Sequence, residues 1–173
     1  MQILNIVGDI DEDMIYCFTE DYNKLKLDQP VTIYLNTGGG DTSIGDAIID
    51  IINTSPFDIT LVAAGYIYSA GFDIFFSSNC KKRILPGTLG MIHFSYAMVD
   101  INENGQTSTP HAKFLISEMK NSKANTVERL RELGLTPTEL KKVNSNADCF
   151  FTTQRLNELL DGQKNRREEF NTL

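Results

Sequence analysis

Short β-rich runs alternate with amphipathic stretches along nearly the whole chain, and this rhythm restricts the possible folds more than any other feature. VTIYLNT (31–37) and DITLVAAG (58–65) are apolar and β-branched, as buried strands are, and GGGD (38–41) is expected to break the first of them. Between them, TSIGDAIIDIINTS (42–55) carries isoleucines at helical spacing, and Thr42 or Ser43 could cap this helix. Strands that alternate with helices pair in parallel through right-handed crossovers. The sequence therefore predicts one α/β domain over residues 1–173, with no second domain.

The same patterns predict the other elements. Further strands are expected at 2–8, 83–87, 89–94 and 148–152. Further helices are expected at 11–27, 69–78, about 109–133, from Thr136, and at 152–162. Thr136 and Glu139 have the spacing of a capping box at the start of the helix from Thr136. Asn104–Gly105 predicts the turn of a hairpin-like excursion at 98–108. Residues 163–173 are charged, and we expect them to form a frayed tail.

Charge and composition exclude several classes of function. The net charge is −7 and the pI about 4.8, so the surface would repel nucleic acid and anionic membranes. No apolar run approaches the roughly 20 residues that span a bilayer, and the N-terminus lacks the features of a signal peptide. Cys17, Cys80 and Cys149 lack metal-ligand spacing, which predicts buried or half-buried thiols. We expect a soluble cytoplasmic protein without metal or cofactor.

Two glycine-rich segments follow predicted strands, at the place where α/β proteins bind ligands. TGGGD (37–41) does not fit a dinucleotide motif, which needs glycine at Ser43, so it is either a tight turn or a backbone open to substrate. GYIYSAG (65–71) holds Ser69 at the start of a helix, where serine is usually a cap. The nucleophile-elbow pattern would need glycine at Ile67. Cap and nucleophile both remain open for Ser69.

A serine nucleophile needs a base, which is most often histidine. His93 ends an apolar strand, whereas His111 lies in the polar first turn of a helix and is expected to be solvated. Three carboxylates could orient the base: Asp73, Asp100 and Asp148. Asp148 begins the last strand and is the one most expected to be half-buried, but the pattern does not exclude the others.

Four segments together resemble a known family. IYLNTGGGDTSIGDAI, GYIYSAG, MIHFS and ADCFFTTQRLNEL are similar, in order and spacing, to segments of Clp peptidase proteolytic subunits (ClpP). The resemblance extends from about Ile6 to Leu160. It implies a ClpP/crotonase-like fold of repeated βαβ units, with a protruding strand–helix handle at about 96–134 that joins two rings.

The resemblance also implies the roles of individual residues. Ser69 would be the nucleophile, His93 the general base and then acid, and Asp148 the orienting carboxylate. The backbone N–H groups of Gly39 and Ala70 would form the oxyanion hole.

The implied substrate is an extended polypeptide, held along a strand edge at Gly40 and Asp41. The implied activity is that of an ATP-dependent-type serine endopeptidase in a homo-oligomeric ring, a heptamer or stacked tetradecamer, with a Clp ATPase unfoldase as partner. The alternatives are a non-catalytic ClpR-like or scaffold subunit and a phage head-maturation protease of the same fold. A crotonase-type acyl-CoA enzyme ranks last, because it needs no serine–histidine pair.

The chain departs from the family pattern at several places. Gly38 replaces a proline, and Phe94-Ser95 replaces Gln-Pro after the histidine. The segment INENGQTSTPHAKF lacks the usual glycine pattern, so we expect ring stacking to be less secure than ring formation. The family's N-terminal axial loop and first helix have no counterpart, so the resemblance leaves dependence on an unfoldase open.

Overall fold

The protein is described by a computed structural model over residues 1–94 and 110–171, apart from some side chains of the fourth and sixth helices. The elements in this part of the chain are, in order, β1 (Gln2–Ile10), α1 (Glu12–Tyr22), β2 (Val31–Gly40), α2 (Thr42–Thr54), β3 (Ile59–Tyr68), α3 (Ala70–Ser77), β4 (Lys81–Ile84), β5 (Leu89–Ile92), α4 (Pro110–Leu133), α5 (Pro137–Asn144), β6 (Cys149–Phe151) and α6 (Thr153–Asn171). The predicted α/β class is confirmed.

One mixed sheet forms the centre, with the strand order β1-β2-β3-β5-β6. β4 and β5 lie on the same side of β3: β4 pairs with residues 60–63 and β5 with residues 66–68. The ends of β3 and β5, next to which the sequence placed Ser69 and His93, therefore lie beside each other.

The sequence predicted parallel strands throughout, and this prediction is wrong for the last strand. β1, β2 and β3 pair in parallel, as do β3 with β4 and β3 with β5. β6, however, is antiparallel to β5. The described part of the connection between them includes two helices, α4 and α5. The chain re-enters the sheet from the end opposite to that of a βαβ unit.

α3 is the central helix of the core. Six of its eight residues are buried, and Phe72 and Phe75 have no exposed surface. Each such side chain stabilises the fold by about 1.5–3 kcal/mol through removal of apolar surface from water. The helix packs against β2, β3 and α2. Because α3 begins directly after Ser69, the core fixes the position of that residue.

The glycine segment continues β2, although the sequence predicted a break there. β2 extends to Gly40, and Gly39 and Gly40 pair with Asp9 and Ile10 of β1 after a shift in register. Gly39 and Gly40 have φ values of 101° and 146°, which glycine tolerates far better than other residues. Their conformation lets the strand run on past the point where a chain of larger residues would turn away.

Two helix ends also differ from the prediction. α1 ends at Tyr22, because the backbone N–H of Lys26 donates to the side chain of Gln2 (2.7 Å) and the chain turns towards β1. α6 continues beyond Gly162 to Asn171, so most of the predicted frayed tail is helical. Gln163 donates to the carbonyl oxygen of Phe76 (2.9 Å), and this bond ties the continuing helix to α3.

The cap of α2 is Asp41, whereas the sequence predicted Thr42 or Ser43. The Asp41 carboxylate accepts hydrogen bonds from the backbone N–H groups of Ser43 (2.7 Å) and Ile44 (3.2 Å). Aspartate is among the preferred N-cap residues, because its carboxylate also interacts favourably with the helix dipole.

The cysteines and the handle complete the comparison with the sequence. Cys17 is exposed, contrary to expectation, because α1 buries the neighbouring Phe18 instead. Burial raises the pKa of the Cys149 thiol.

Of the predicted handle, α4 is described, while the excursion at 98–108 lies outside the described residues. Within those residues, no helix has the length and apolar character needed to cross a membrane.

The predicted capping box at the start of α5 is confirmed. Glu139 accepts from the backbone of Thr136 (2.7 Å) and also from the guanidinium of Arg155 (2.8 and 2.9 Å). We expect Glu139→Gln to lower the free energy of unfolding by about 1–3 kcal/mol near neutral pH, because charge-assisted bonds are lost. Urea unfolding of both proteins measures this difference.

The difference should depend on pH. Burial alone would raise the pKa of Glu139, but hydrogen bonds from Arg155 and Thr136 hold that pKa below its ordinary value of 4.5. Its contribution to stability is therefore present above the ordinary value and is lost as the pH falls through the folded value. A stability gap between wild type and Glu139→Gln that stays constant on acidification would contradict this assignment.

Candidate active site

Ser69 has an unusual backbone conformation. Its φ of 51° and ψ of −118° place it in a region that residues other than glycine rarely adopt, at a cost of about 1–3 kcal/mol. These angles are those of the first central residue of a type II′ turn. The Ser69 N–H donates to the carbonyl oxygen of Met91 (2.9 Å), and α3 begins at the next residue. The strand-to-helix turn resembles a nucleophile elbow, although the sequence lacks that motif.

The Ser69 side chain does not cap α3. Its Oγ lies 2.9 Å from Nε2 of His93 instead. The other ring nitrogen of His93, Nδ1, lies 3.1 Å from Oδ1 of Asp148. The three predicted residues thus form a chain of hydrogen-bonding groups. The side chains of His93 and Asp148 are 20% and 46% exposed, so the pair faces solvent rather than the core.

The antiparallel pairing of β5 and β6 explains how these residues meet. Ile92, the last residue of β5, pairs with Cys149, the first residue of β6. His93 follows Ile92 and Asp148 precedes Cys149, so both lie at the same edge of the sheet. A parallel β6 would have placed its first residue at the other edge.

The other candidates from the sequence are accounted for separately. Asp73 forms an ion pair with Arg129 of α4. Asp100 lies outside the described residues, as does the side chain of His111.

The glycine segment at the end of β2 packs directly against Ser69. A Cβ on Gly39 would lie 2.7 Å from Cβ of Ser69 and 2.9 Å from the carbonyl oxygen of Tyr68. A Cβ on Gly71 would lie 2.4 Å from Cγ2 of Thr37. Only glycine allows this close approach of the two turns. A Cβ on Gly38 would meet no atom within 4 Å, so the available space does not require glycine at this position.

The predicted oxyanion donors differ in their surroundings. Ala70 is the first residue of α3, and its backbone N–H belongs to the unpaired first turn of a helix. The N–H of Gly39 donates to Oγ1 of Thr37 (3.0 Å), a fully buried side chain. The Gly39 amide therefore points into the protein. Sequence reasoning missed Thr37, because nothing in the pattern marks it as an acceptor for this amide.

The predicted peptide-binding residues are partly engaged. The N–H of Asp41 donates to the carbonyl oxygen of Ile10 (2.8 Å), and its carboxylate caps α2. The hydroxyl of Ser43 is the main cause that lowers the pKa of Asp41. Asp41 thus offers an extended peptide neither its N–H nor a free carboxylate, and peptide binding at Gly40 and Asp41 stays a prediction.

An exposed aromatic strip, formed by Tyr66, Tyr68 and Phe150, lies beside the site. The rings of Tyr66 and Tyr68 stack at 5.2 Å, and Tyr68 meets Phe150 edge-on at 5.9 Å. Tyr66 is 46% exposed and Phe150 63%. Tyr68 precedes Ser69, and Phe150 comes two residues after Asp148. The sequence analysis overlooked this strip, although tyrosines on either side of the buried Ile67 are a strand-type alternation that signals one shared face.

Gly39→Ala should damage the site more than the fold. We expect the new Cβ to push the glycine segment away from Ser69, because both nearest atoms belong to the neighbouring turn and Gly39 has a positive φ. Reaction of Ser69 with a serine-directed probe should slow about 100-fold, the loss that displacement by about 1 Å produces. Gly38→Ala is the matched control, and equal probe rates in the two variants would contradict the prediction.

Comparison with known proteins agrees with this architecture. The family model described as Clp protease matches residues 3–152. A ClpP1 mutant from Listeria monocytogenes has a similar structure, with a TM-score of 0.66, 22% sequence identity, and coverage of 91% of this chain and 86% of that chain. This similarity shows the ClpP fold.

Curated relatives match over a shorter stretch. The ATP-dependent Clp protease proteolytic subunit 2 of Gluconobacter oxydans is 33% identical over 69 residues, which are 38% of this chain and 31% of that protein. Subunit 3 of Rhizobium johnstonii is 31% identical over 67 residues, or 38% and 34% of the two chains. The matched stretch spans about a third of the length of these relatives. With the family model matched over nearly the whole chain, the protein belongs to the Clp protease family.

Proposed function

We propose that the protein is a serine peptidase that hydrolyses peptide bonds through Ser69, His93 and Asp148. The observation that carries this proposal is the chain of contacts from Ser69 Oγ to His93 Nε2 (2.9 Å) and from His93 Nδ1 to Asp148 Oδ1 (3.1 Å). The strained backbone of Ser69 supports it, since such strain is concentrated at functional sites.

The geometry supports a defined sequence of proton transfers. The carboxylate of Asp148 can only accept a hydrogen bond, so Nδ1 of His93 carries the proton and Nε2 is the acceptor. Oγ of Ser69 attacks the carbonyl carbon of the substrate while Nε2 takes its proton. The same nitrogen then protonates the leaving amine. Water attacks the acyl-enzyme in the second half, and the proton returns to Ser69.

The oxyanion of each tetrahedral intermediate needs two donors. Ala70 supplies one from the N-terminus of α3, where the helix dipole favours negative charge. The glycine segment supplies the other. Gly39 can do so only after its bond to Thr37 opens. We propose Gly39 as this donor once that bond is open, because its backbone packs directly against the turn at Ser69.

The substrate is proposed to be an unfolded polypeptide or peptide in extended form. The aromatic strip gives apolar side chains of such a substrate a surface beside Ser69. From family membership we propose a homo-oligomeric ring in the cytoplasm, a heptamer or stacked tetradecamer, and a Clp ATPase as partner. A non-catalytic subunit of a mixed ring is the alternative, but the alignment of Ser69 with His93 favours catalysis.

A fluorophosphonate probe tests the proposal. We expect it to form one covalent adduct, which mass spectrometry of the digested protein assigns to the peptide that carries Ser69. The labelled protein should also lose hydrolysis of an unfolded polypeptide, while native mass spectrometry reports the oligomeric state of the same sample. An assembled protein that is neither labelled nor hydrolytic would reject the peptidase and favour the non-catalytic subunit.

A further inference from the structure

One lysine of α4 contacts both loops that carry the histidine–carboxylate pair. Nζ of Lys123 donates to the backbone carbonyl oxygen of Asn144 (3.1 Å) and to Oδ1 of Asn146 (3.3 Å). The same ammonium lies 4.5 Å from the ring centroid of Phe94. Cation–π contact at this distance is attractive, and more so when the ammonium is partly desolvated.

Each partner of Lys123 is next to the site. Phe94 directly follows His93, and it packs as a partly buried side chain against the core. Asn146 precedes Asp148 by two residues. Lys123 therefore connects the residue after the base to the turn before the carboxylate, and does so from α4, a helix that carries none of Ser69, His93 and Asp148.

The turn before Asp148 needs such support. Asn146 has a φ of 58°, which is left-handed, although asparagine tolerates this region better than most residues. Its backbone N–H donates to the carbonyl oxygen of Val143 (3.0 Å). The ammonium of Lys123 holds the carbonyl of Asn144 and the side chain of Asn146. These side-chain bonds add to the backbone bond from Ala147 to the carbonyl oxygen of Lys142 (3.1 Å) in shaping the turn from which Asp148 extends.

Burial holds the carboxylate only in part. The side chain of Asp148 is 46% exposed, so the backbone before it also contributes to its direction. A shift of this backbone would change the 3.1 Å separation between Asp148 Oδ1 and His93 Nδ1. Contacts of this kind respond steeply to small displacements, because hydrogen bonds weaken with distance and misalignment.

We propose that Lys123 is a positioning residue that holds Asp148 and His93 in register with each other, by bridging the turn at Asn146 to Phe94. The inference rests on the proposed function and adds to it a link between α4 and the site. Lys123 aligns His93 with Asp148 and does not contact the substrate. Loss of its ammonium should therefore lower kcat and leave KM unchanged.

Lys123→Met tests the proposal, because methionine keeps most of the apolar stem but loses the charge and the donors. We expect kcat and the rate of fluorophosphonate labelling to fall at least about tenfold, with KM unchanged. Lys123→Arg should recover most of the rate, since the guanidinium can donate to both oxygens and stack on Phe94. Lys141→Met, at an exposed lysine of α5, is the matched control. Native mass and thermal unfolding are measured for every variant.

A second mutation tests the bridge itself. Phe94→Leu removes the ring face, so its effect on kcat should be smaller in the Lys123→Met background than in wild type. If the separate effects of Lys123→Met and Phe94→Leu on kcat multiply in the double variant, the two residues act independently and the bridge is rejected. Equal labelling rates for wild type and Lys123→Met would also reject it. Loss of assembly in Lys123→Met, with normal kcat per assembled site, would assign Lys123 to structure alone. A wild-type protein that is never labelled would instead reject the peptidase, and the inference with it.

Discussion

Ser69→Ala is expected to abolish labelling by a fluorophosphonate and to reduce kcat for peptide hydrolysis about a million-fold, as loss of a serine nucleophile does in other peptidases. Alanine has no oxygen to attack the substrate, and His93 then has no proton to accept. The fold should persist, because alanine and serine bear the same strain at a φ of 51° and the side chain of Ser69 does not cap α3. Labelling, kcat and thermal unfolding measure the three parts of this prediction.

Ser43→Ala is the matched control for this experiment. Ser43 also lies at the start of a helix, where its hydroxyl donates to Asp41 (2.6 Å). The variant should be labelled like wild type. Labelling that persists in Ser69→Ala, or that disappears in Ser43→Ala, would mean that the nucleophile is a different residue.

Asp148→Asn is expected to reduce kcat about ten thousand-fold with little change in stability. The amide of asparagine can donate a hydrogen bond to Nδ1 of His93, which then becomes an acceptor. The proton moves to Nε2, the atom that must accept from Ser69 at 2.9 Å. The imidazole is then in the wrong tautomer for a general base. Steady-state hydrolysis and the labelling rate of Ser69 both report this loss.

Two further variants give this prediction its control. Asp73→Asn tests the other carboxylate that the sequence left open, and it should keep most of the activity because Asp73 pairs with Arg129. Asp58→Asn removes an exposed carboxylate that pairs with Lys81 and should behave as wild type. A ten thousand-fold loss in Asp73→Asn, with Asp148→Asn within about tenfold of wild type, would reverse the assignment of the orienting carboxylate.

Much of the fold could be predicted because its signals are local. The apolar β-branched runs became strands, and the capping box at Thr136 began α5 where expected. Helix ends were predicted less well, because distant partners decided them. Gln2 ends α1 through the backbone of Lys26, and Phe76 helps to extend α6 beyond Gly162. No window of sequence contains both halves of such a contact.

The candidate site could likewise be predicted only in part. Their places at a helix start and a strand end made Ser69 and His93 candidates, and Asp148 was the favoured carboxylate, but only the resemblance to ClpP implied the roles of all three. The glycine pattern suggested a tight turn or a backbone open to substrate, and the resemblance implied that Gly39 and Ala70 form the oxyanion hole. The orientation of the Gly39 amide towards Thr37, however, depends on a side chain whose position is fixed only when β2 and α3 pack together.

The sequence by itself determined the order of strands and helices, the α/β class and the small set of residues able to carry acyl-transfer chemistry, because propensity, periodicity and capping act over a few residues. The tertiary structure alone decided that β6 pairs antiparallel with β5, so that Asp148 meets His93. It also decided that Lys123 reaches both Phe94 and Asn146, and that three aromatic rings share one exposed strip. These arrangements depend on strand register and helix docking, which are set by packing between segments far apart in the chain.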